Sequence, residues 1–147
     1  MSATDPLLGG AIRHAHGELL ATLREFVATW DSGDEPPPAS DMSAVVAFLR
    51  HGVLHFARRE ESWLGPHAAE SDGTAFEHAF LAAETDALAR EAAGLARTHP
   101  RERPSRDAAA RAVRRRLHRI EAILELHVRK AEDRDASTSA IPTNDRR

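Results

Sequence analysis

"VRRRLHRIEAILELHVRKA" spans residues 113–131. Apolar side chains and one histidine recur in it at steps of three and four: Val113, Leu117, Ile120, Leu124, His127 and Ala131. That is the period of one face of an α-helix, not the alternation of a strand. The residues between them are mostly arginine, glutamate and alanine, which are good helix formers. The stretch therefore predicts a helix that buries one stripe. A histidine set into that stripe needs a reason.

Three further segments read the same way. The first carries Ile12, His16, Leu19, Leu23, Phe26 and Trp30 at helical spacing; the second carries Val45, Phe48, Leu49, Gly52, His55 and Phe56. In the third the stripe is Phe76, Phe80, Leu81, Leu88 and Leu95. Turn-rich breaks separate them: "DSGDEPPPASD" (31–41), "GPHAAESDG" (65–73) and "THPRERPSRD" (98–107). Helices are expected over residues 6–30, 40–64, 73–97 and 105–134. Pro6, Pro38 and Pro104 stand near three of the starts, where proline is tolerated. Four helices of similar length with short connections predict an all-α, up-down-up-down four-helix bundle over residues 1–134. The remainder, 135–147, is a polar tail expected to be disordered.

Composition narrows the function. A chain of 147 residues suits one domain, and 41% hydrophobic against 29% charged residues suits a soluble one. A net charge of −3 gives no reason to expect a nucleic-acid partner. There is no cysteine, which excludes disulfides, iron–sulfur clusters and thiolate zinc sites. No apolar run approaches a membrane span and no signal-peptide pattern opens the chain, so no membrane partner and a cytoplasmic location are expected. Nine histidines point towards metal.

Two phrases repeat. "VLHFARREES" (53–62) and "ELHVRKAEDR" (125–134) both run Leu-His-hydrophobe and then, five residues after the histidine, an acid: His55 with Glu60, and His127 with Glu132. In an up-down bundle the start of helix one, the end of two, the start of three and the end of four share a level. His16, His55, His78 and His127 then fall roughly 8–15 Å from one end, at 1.5 Å per residue. Four imidazoles and two carboxylates in one core layer suit a pair of metal cations, because an unpartnered buried carboxylate is costly and carboxylates bridge metals well. The spacing of five places histidine and acid about 140° apart on an ideal helix. Either the acids face solvent, or a π-bulge near 55–60 and 127–132 realigns each pair.

These motifs resemble the hemerythrin/HHE cation-binding family, as found in bacterial hemerythrin-like proteins. "IRHAHGELLATL" resembles its first motif, with His16 in the ligand place. "HFARREESWLGP" is similar to the second, with His55, Glu60 and Glu61; "FEHAFLAAETDAL" to the third, with His78; and "LHVRKAED" to the fourth, with His127 and Glu132. The likeness covers about residues 7–133. The family usually places the second-helix acid four after the histidine, where this chain has Arg59. His51, four before His55, is an alternative ligand on the same face. Oxygen-carrying members have a further histidine four before the third-helix ligand; here that position is Thr74, which would leave one coordination position open. Glu61 is a further candidate for a supporting role.

The resemblance implies two iron ions, with manganese possible in one position, held by His16, His55, Glu60, His78, His127 and Glu132. It implies a non-haem diiron protein that binds or senses oxygen, nitric oxide or iron. The alternative is a small diiron enzyme acting on peroxide or nitric oxide, and a third reading is a metal-free interaction module. Other metal-bundle classes fit poorly: no histidine has glutamate three before it, H-E-x-x-H is absent, and without tyrosine there is no tyrosyl radical.

Overall fold

The computed structural model describes residues 6–31, 38–65, 68–69, 73–99 and 101–139. It is all-α, with no strand among the described residues. The elements are α1 (Pro6–Asp31), α2 (Ala39–Phe48), a π-helical turn (Leu49–Val53), α3 (Leu54–Leu64), α4 (Thr74–Arg97) and α5 (Arg103–Ser139). Helical backbone angles at Phe48, Leu49, Val53 and Leu54 make 39–64 one continuous helical stretch. Four long stretches therefore stand where four were expected. None of the helices is long and apolar enough to cross a membrane among the described residues.

Local chemistry sets the ends. Gly65 closes α3 at a φ of +83° and donates its N–H to the Glu61 carbonyl at 3.0 Å. Gly73 opens α4 at a φ of +81°. Glycine adopts that left-handed conformation without the steric cost a β-carbon brings. α5 runs five residues past its expected end, so 135–139 of the presumed tail are helical. The rest of that tail, 140–147, lies outside the described residues.

α5 packs against both α4 and α1, and α2 packs against α4. The shared core is aliphatic: Leu23, Leu49, Leu88, Val113 and Ile120 are fully buried. Every expected inward position of α5 is buried: Val113, Leu117, Ile120, Leu124, His127 and Ala131. On α1 the stripe runs through His16, Leu19, Leu23 and Trp30, with Phe26 half-buried. α4 departs from expectation at its first turn. Phe76 is 76% exposed, and the inward stripe is Thr74, His78, Leu81, Thr85 and Leu88.

The second stretch departs most, and the π-turn explains it. A π-turn takes in one residue more than an α-turn. After Val45 and Leu49 the inward positions are therefore Val53, Ala57 and Glu60, rather than Gly52, His55 and Phe56. His55 follows the buried Val53 by two residues, roughly 200° around the helix, and faces solvent. One of the two readings of the spacing placed a wide turn between His55 and Glu60 and another at 127–132. The structure places it upstream, at 49–53, and leaves α5 α-helical throughout. Instead of aligning His55 with Glu60, it selects Glu60 and excludes His55.

A wide turn behaves as a one-residue insertion between two helical segments that keep their own phases. Deleting the exposed His51 is expected to convert it to an ordinary α-turn and keep both flanking stripes inward. Deleting the exposed Arg58 is expected to rotate Glu60 by about 100° out of the core. Thermal unfolding followed by far-ultraviolet circular dichroism should stay cooperative for the first deletion. It should lose its midpoint by many degrees, or its cooperativity, for the second. Equal damage from both would contradict this account of the turn.

Candidate metal centre

Four helical stretches each place one side chain in a single buried layer. α1 supplies His16, α3 supplies Glu60, α4 supplies His78 and α5 supplies His127; they are 3%, 1%, 6% and 2% exposed. The imidazoles surround the carboxylate. Glu60 Oε2 lies 3.2 Å from His16 Nε2, and Oε1 lies 3.2 Å from His78 Nε2 and 2.8 Å from His127 Nε2. His78 Nε2 and His127 Nε2 are 3.4 Å apart. One donor atom each from His16, Glu60 and His127 fits within 4.8 Å of the others.

The outer nitrogens fix the inner ones. His127 Nδ1 meets Glu77 Oε2 at 2.7 Å, and His78 Nδ1 meets Glu61 Oε1 at 2.8 Å. A carboxylate only accepts, so both Nδ1 atoms carry the proton and donate. In the neutral rings the Nε2 lone pairs then point inward, at each other and at Glu60. Glu60 Oε1 has two nitrogens close by, but neither contact has the alignment of a hydrogen bond. Lone pairs facing lone pairs at this distance repel unless a cation lies among them, either protons or a metal ion.

Electrostatics express the same need. Burial raises the Glu60 pKa, but the His127, His78 and His16 imidazoles outweigh it and hold the carboxyl well below the usual range. Burial lowers the His127 pKa, but Glu60 and then Glu77 outweigh it, and the net shift is upward. Lys130 Nζ donates to Glu77 Oε1 at 2.7 Å, which holds that carboxylate behind His127.

The donor set suits a first-row metal. Bonds of about 2.0–2.2 Å to nitrogen and oxygen put neighbouring donors roughly 3.0 Å apart at right angles and roughly 3.4 Å apart in a tetrahedron. The four distances among Glu60, His16, His78 and His127 run from 2.8 to 3.4 Å. The Nδ1–H to carboxylate contacts are the usual second layer of a histidine-ligated metal.

Of the expected ligands, the structure brings together His16, Glu60, His78 and His127. It keeps two out. His55 is exposed because the π-turn precedes it, and Glu132 is exposed because regular α5 carries it about 140° from His127. His51 is exposed as well and does not stand in for Glu60. Thr74 is fully buried one turn before His78. Glu61 supports His78. Lys130 was not foreseen as a site residue, and Glu77 stood out only as the neighbour of His78 in the third motif, without a role. Their signal was present: Glu77 precedes His78 directly, and Lys130, the chain's single lysine, follows His127 by three. Compared with known proteins, the chain matches no family model, no curated protein and no solved structure.

The two shifts predict a pH profile for the metal-free protein. Glu60 is depressed, so its stabilisation is present above the ordinary 4.5 and drains away as pH falls below it. His127 is raised, so its stabilisation is complete below the ordinary 6.5 and is lost as pH climbs through the folded value. Metal-free stability is expected to be greatest between pH 4.5 and 6.5 and to decline on both sides. Glu60→Gln removes the charge behind both shifts and should flatten both arms. Denaturant melts across pH test this, and an unchanged profile in Glu60→Gln would contradict it.

Proposed function

We propose that this chain is a hemerythrin-like metalloprotein whose four helical stretches form an up-down-up-down bundle around non-haem iron. His16, Glu60, His78 and His127 would hold the metal. The protein would use it to bind or sense a small diatomic such as oxygen or nitric oxide. The observation that carries this reading is the convergence of three imidazole Nε2 atoms on one buried carboxylate with coordination-like separations. Imidazole and carboxylate donors without sulfur suit iron, manganese or zinc. When bound, iron would supply a redox-active Lewis-acid centre.

The chain's own residues do the rest. Glu77 and Glu61 accept the Nδ1 protons, set the tautomers of His127 and His78, and raise the basicity of the inward nitrogens. Lys130 holds Glu77. Near-complete burial of all four donors favours a ligand of a few atoms over a larger substrate.

Two irons were expected from six ligands. Four converging donors support one ion per chain as the first reading. A pair sharing Glu60 is the second, and a specific feature favours it: Oε2 faces His16 while Oε1 faces His78 and His127.

Iron per chain, measured on protein from iron-supplemented cells, tests the proposal together with the visible spectrum before and after nitric oxide. One iron, or two, with a spectral change on adding nitric oxide is expected. Stoichiometric zinc, or no metal after reconstitution with ferrous iron, would sink it. Alanine at His16, Glu60, His78 or His127 should abolish stoichiometric iron, whereas His55→Ala and Glu132→Ala should retain it.

The supporting carboxylate has its own test. Glu77→Ala is expected to weaken metal binding by roughly 10–100-fold. Lys130→Met should weaken it less, because Glu77 keeps its own contact with His127 Nδ1. Metal transfer to a chelator measures both, and unaltered retention in Glu77→Ala would remove the positioning role.

A further inference from the structure

Away from the metal layer, between the end of α1 and the start of α2, lies a cavity of about 430 Å³. The reading above assigns it nothing. Its α1 wall lies up to 14 residues beyond His16, so its far end is roughly 20 Å along the helix from that ligand. The volume falls in the usual range of small-molecule sites.

The walls are of two kinds. Phe26, Trp30, Val45 and Leu117 give an apolar, aromatic lining. Trp30, Val45 and Leu117 belong to the buried core, so this lining is rigid. Glu25 and Asp41, one from each helix, also line the cavity and are exposed. Neither forms an ion pair among the described residues. The nearby cations are engaged elsewhere: Arg24 with Glu121 and Glu125 at 3.7 and 3.3 Å, and Arg114 with Asp31 at 3.6 Å. Asp41 stands in the first turn of α2, where its charge also complements the helix dipole. That role accounts for one acid and leaves Glu25 without an ion-pair partner among the described residues.

The Arg114 guanidinium carbon lies 6.0 Å from the Trp30 ring centroid, and Arg114 Nη2 donates to the Trp30 carbonyl at 3.2 Å, so the indole gives the cavity apolar surface while its cation contact is already made.

From the apolar lining and the two carboxylates at its edge, we infer that this cavity binds a small organic ammonium ion with an apolar body. The body lies against Phe26, Trp30, Val45 and Leu117, and the ammonium group meets Glu25 and Asp41. The inference is independent of the metal reading.

The probe is phenethylamine, with 3-phenylpropanoate as the counterpart of similar body and opposite charge. The readout is the indole N–H signals of the full-length protein in ¹H–¹⁵N spectra, assigned with Trp63→Phe. Phenethylamine is expected to shift the Trp30 signal saturably and leave Trp63 in place. Binding of 3-phenylpropanoate, and of phenethylamine to Glu25→Gln/Asp41→Asn, should be weaker by on the order of tenfold. Both carboxylates are exposed, so the double variant should fold, and circular dichroism verifies that it does. Three results each overturn the inference: no saturable shift at Trp30, equal binding of the anion, or undiminished binding by the double variant.

Discussion

A single buried carboxylate, Glu60, faces three imidazole nitrogens, and the layer around it holds together only if positive charge is present. Glu77 and Glu61 accept hydrogen bonds from the Nδ1–H groups of His127 and His78 and so turn the inner lone pairs towards Glu60. Without a cation the layer would be a cluster of acceptors in a low-dielectric interior. Removing one member of such a buried set typically costs about 3–5 kcal/mol, because the remaining groups are left uncompensated. Protons can meet the need, and Glu60 and Glu77 raise the pKa of His127. A metal ion would meet it with one charge centre for all four donors. It would compete with protons for the same lone pairs, and its uptake would release them.

The layer also explains which parts of the sequence were legible. The apolar stripe of α5 was readable to the residue, because a long regular helix keeps phase and His127 sits on the apolar period. His16 and His78 were readable for the same reason. Glu60 was placed correctly as a core residue, yet its paired histidine was not. Period-based reasoning carries a stripe forward at 3.6 residues per turn, and one extra residue at Leu49–Val53 moves everything downstream by one position. "LRHGV" gives no composition signal for a wide turn beyond its glycine. That glycine is confined: a β-carbon at Gly52 would come 3.3 Å from Leu19 Cδ2. At Glu132 the spacing alone gave the right answer. Five residues on a regular helix diverge, and the repeated phrase argued for a realignment that the backbone does not make.

Outside the layer, polar contacts hold the ligand-bearing helices against each other. Arg116 of α5 binds Glu91 with Nε and Nη2 at 2.9 and 2.7 Å and reaches Glu84 with Nη1 at 2.8 Å, both on α4. Arg24 of α1 pairs with Glu121 and Glu125 of α5. The half-exposed Arg24 pairs contribute about 0–1 kcal/mol each, so the aliphatic core carries most of the stability. The value of the polar contacts is directional. A bidentate guanidinium–carboxylate contact fixes one helix along another, and the donor separations around Glu60 require that α4 and α5 do not slide.

The histidine–carboxylate layer and the apolar cavity occupy different levels of the same α1. Between His16 and Trp30 stand Leu19, Leu20, Leu23 and Val27, all buried. This apolar stretch keeps water from the ligand layer on that side and so preserves the low dielectric that gives Glu60 its pull on the imidazoles. It also fills the space between the two sites with close-packed side chains, which resist small displacements. A polar layer that destabilises one level of the fold is thus tolerable because the levels beyond it are aliphatic. The cavity lies where that aliphatic packing meets the two acids of the α1–α2 face.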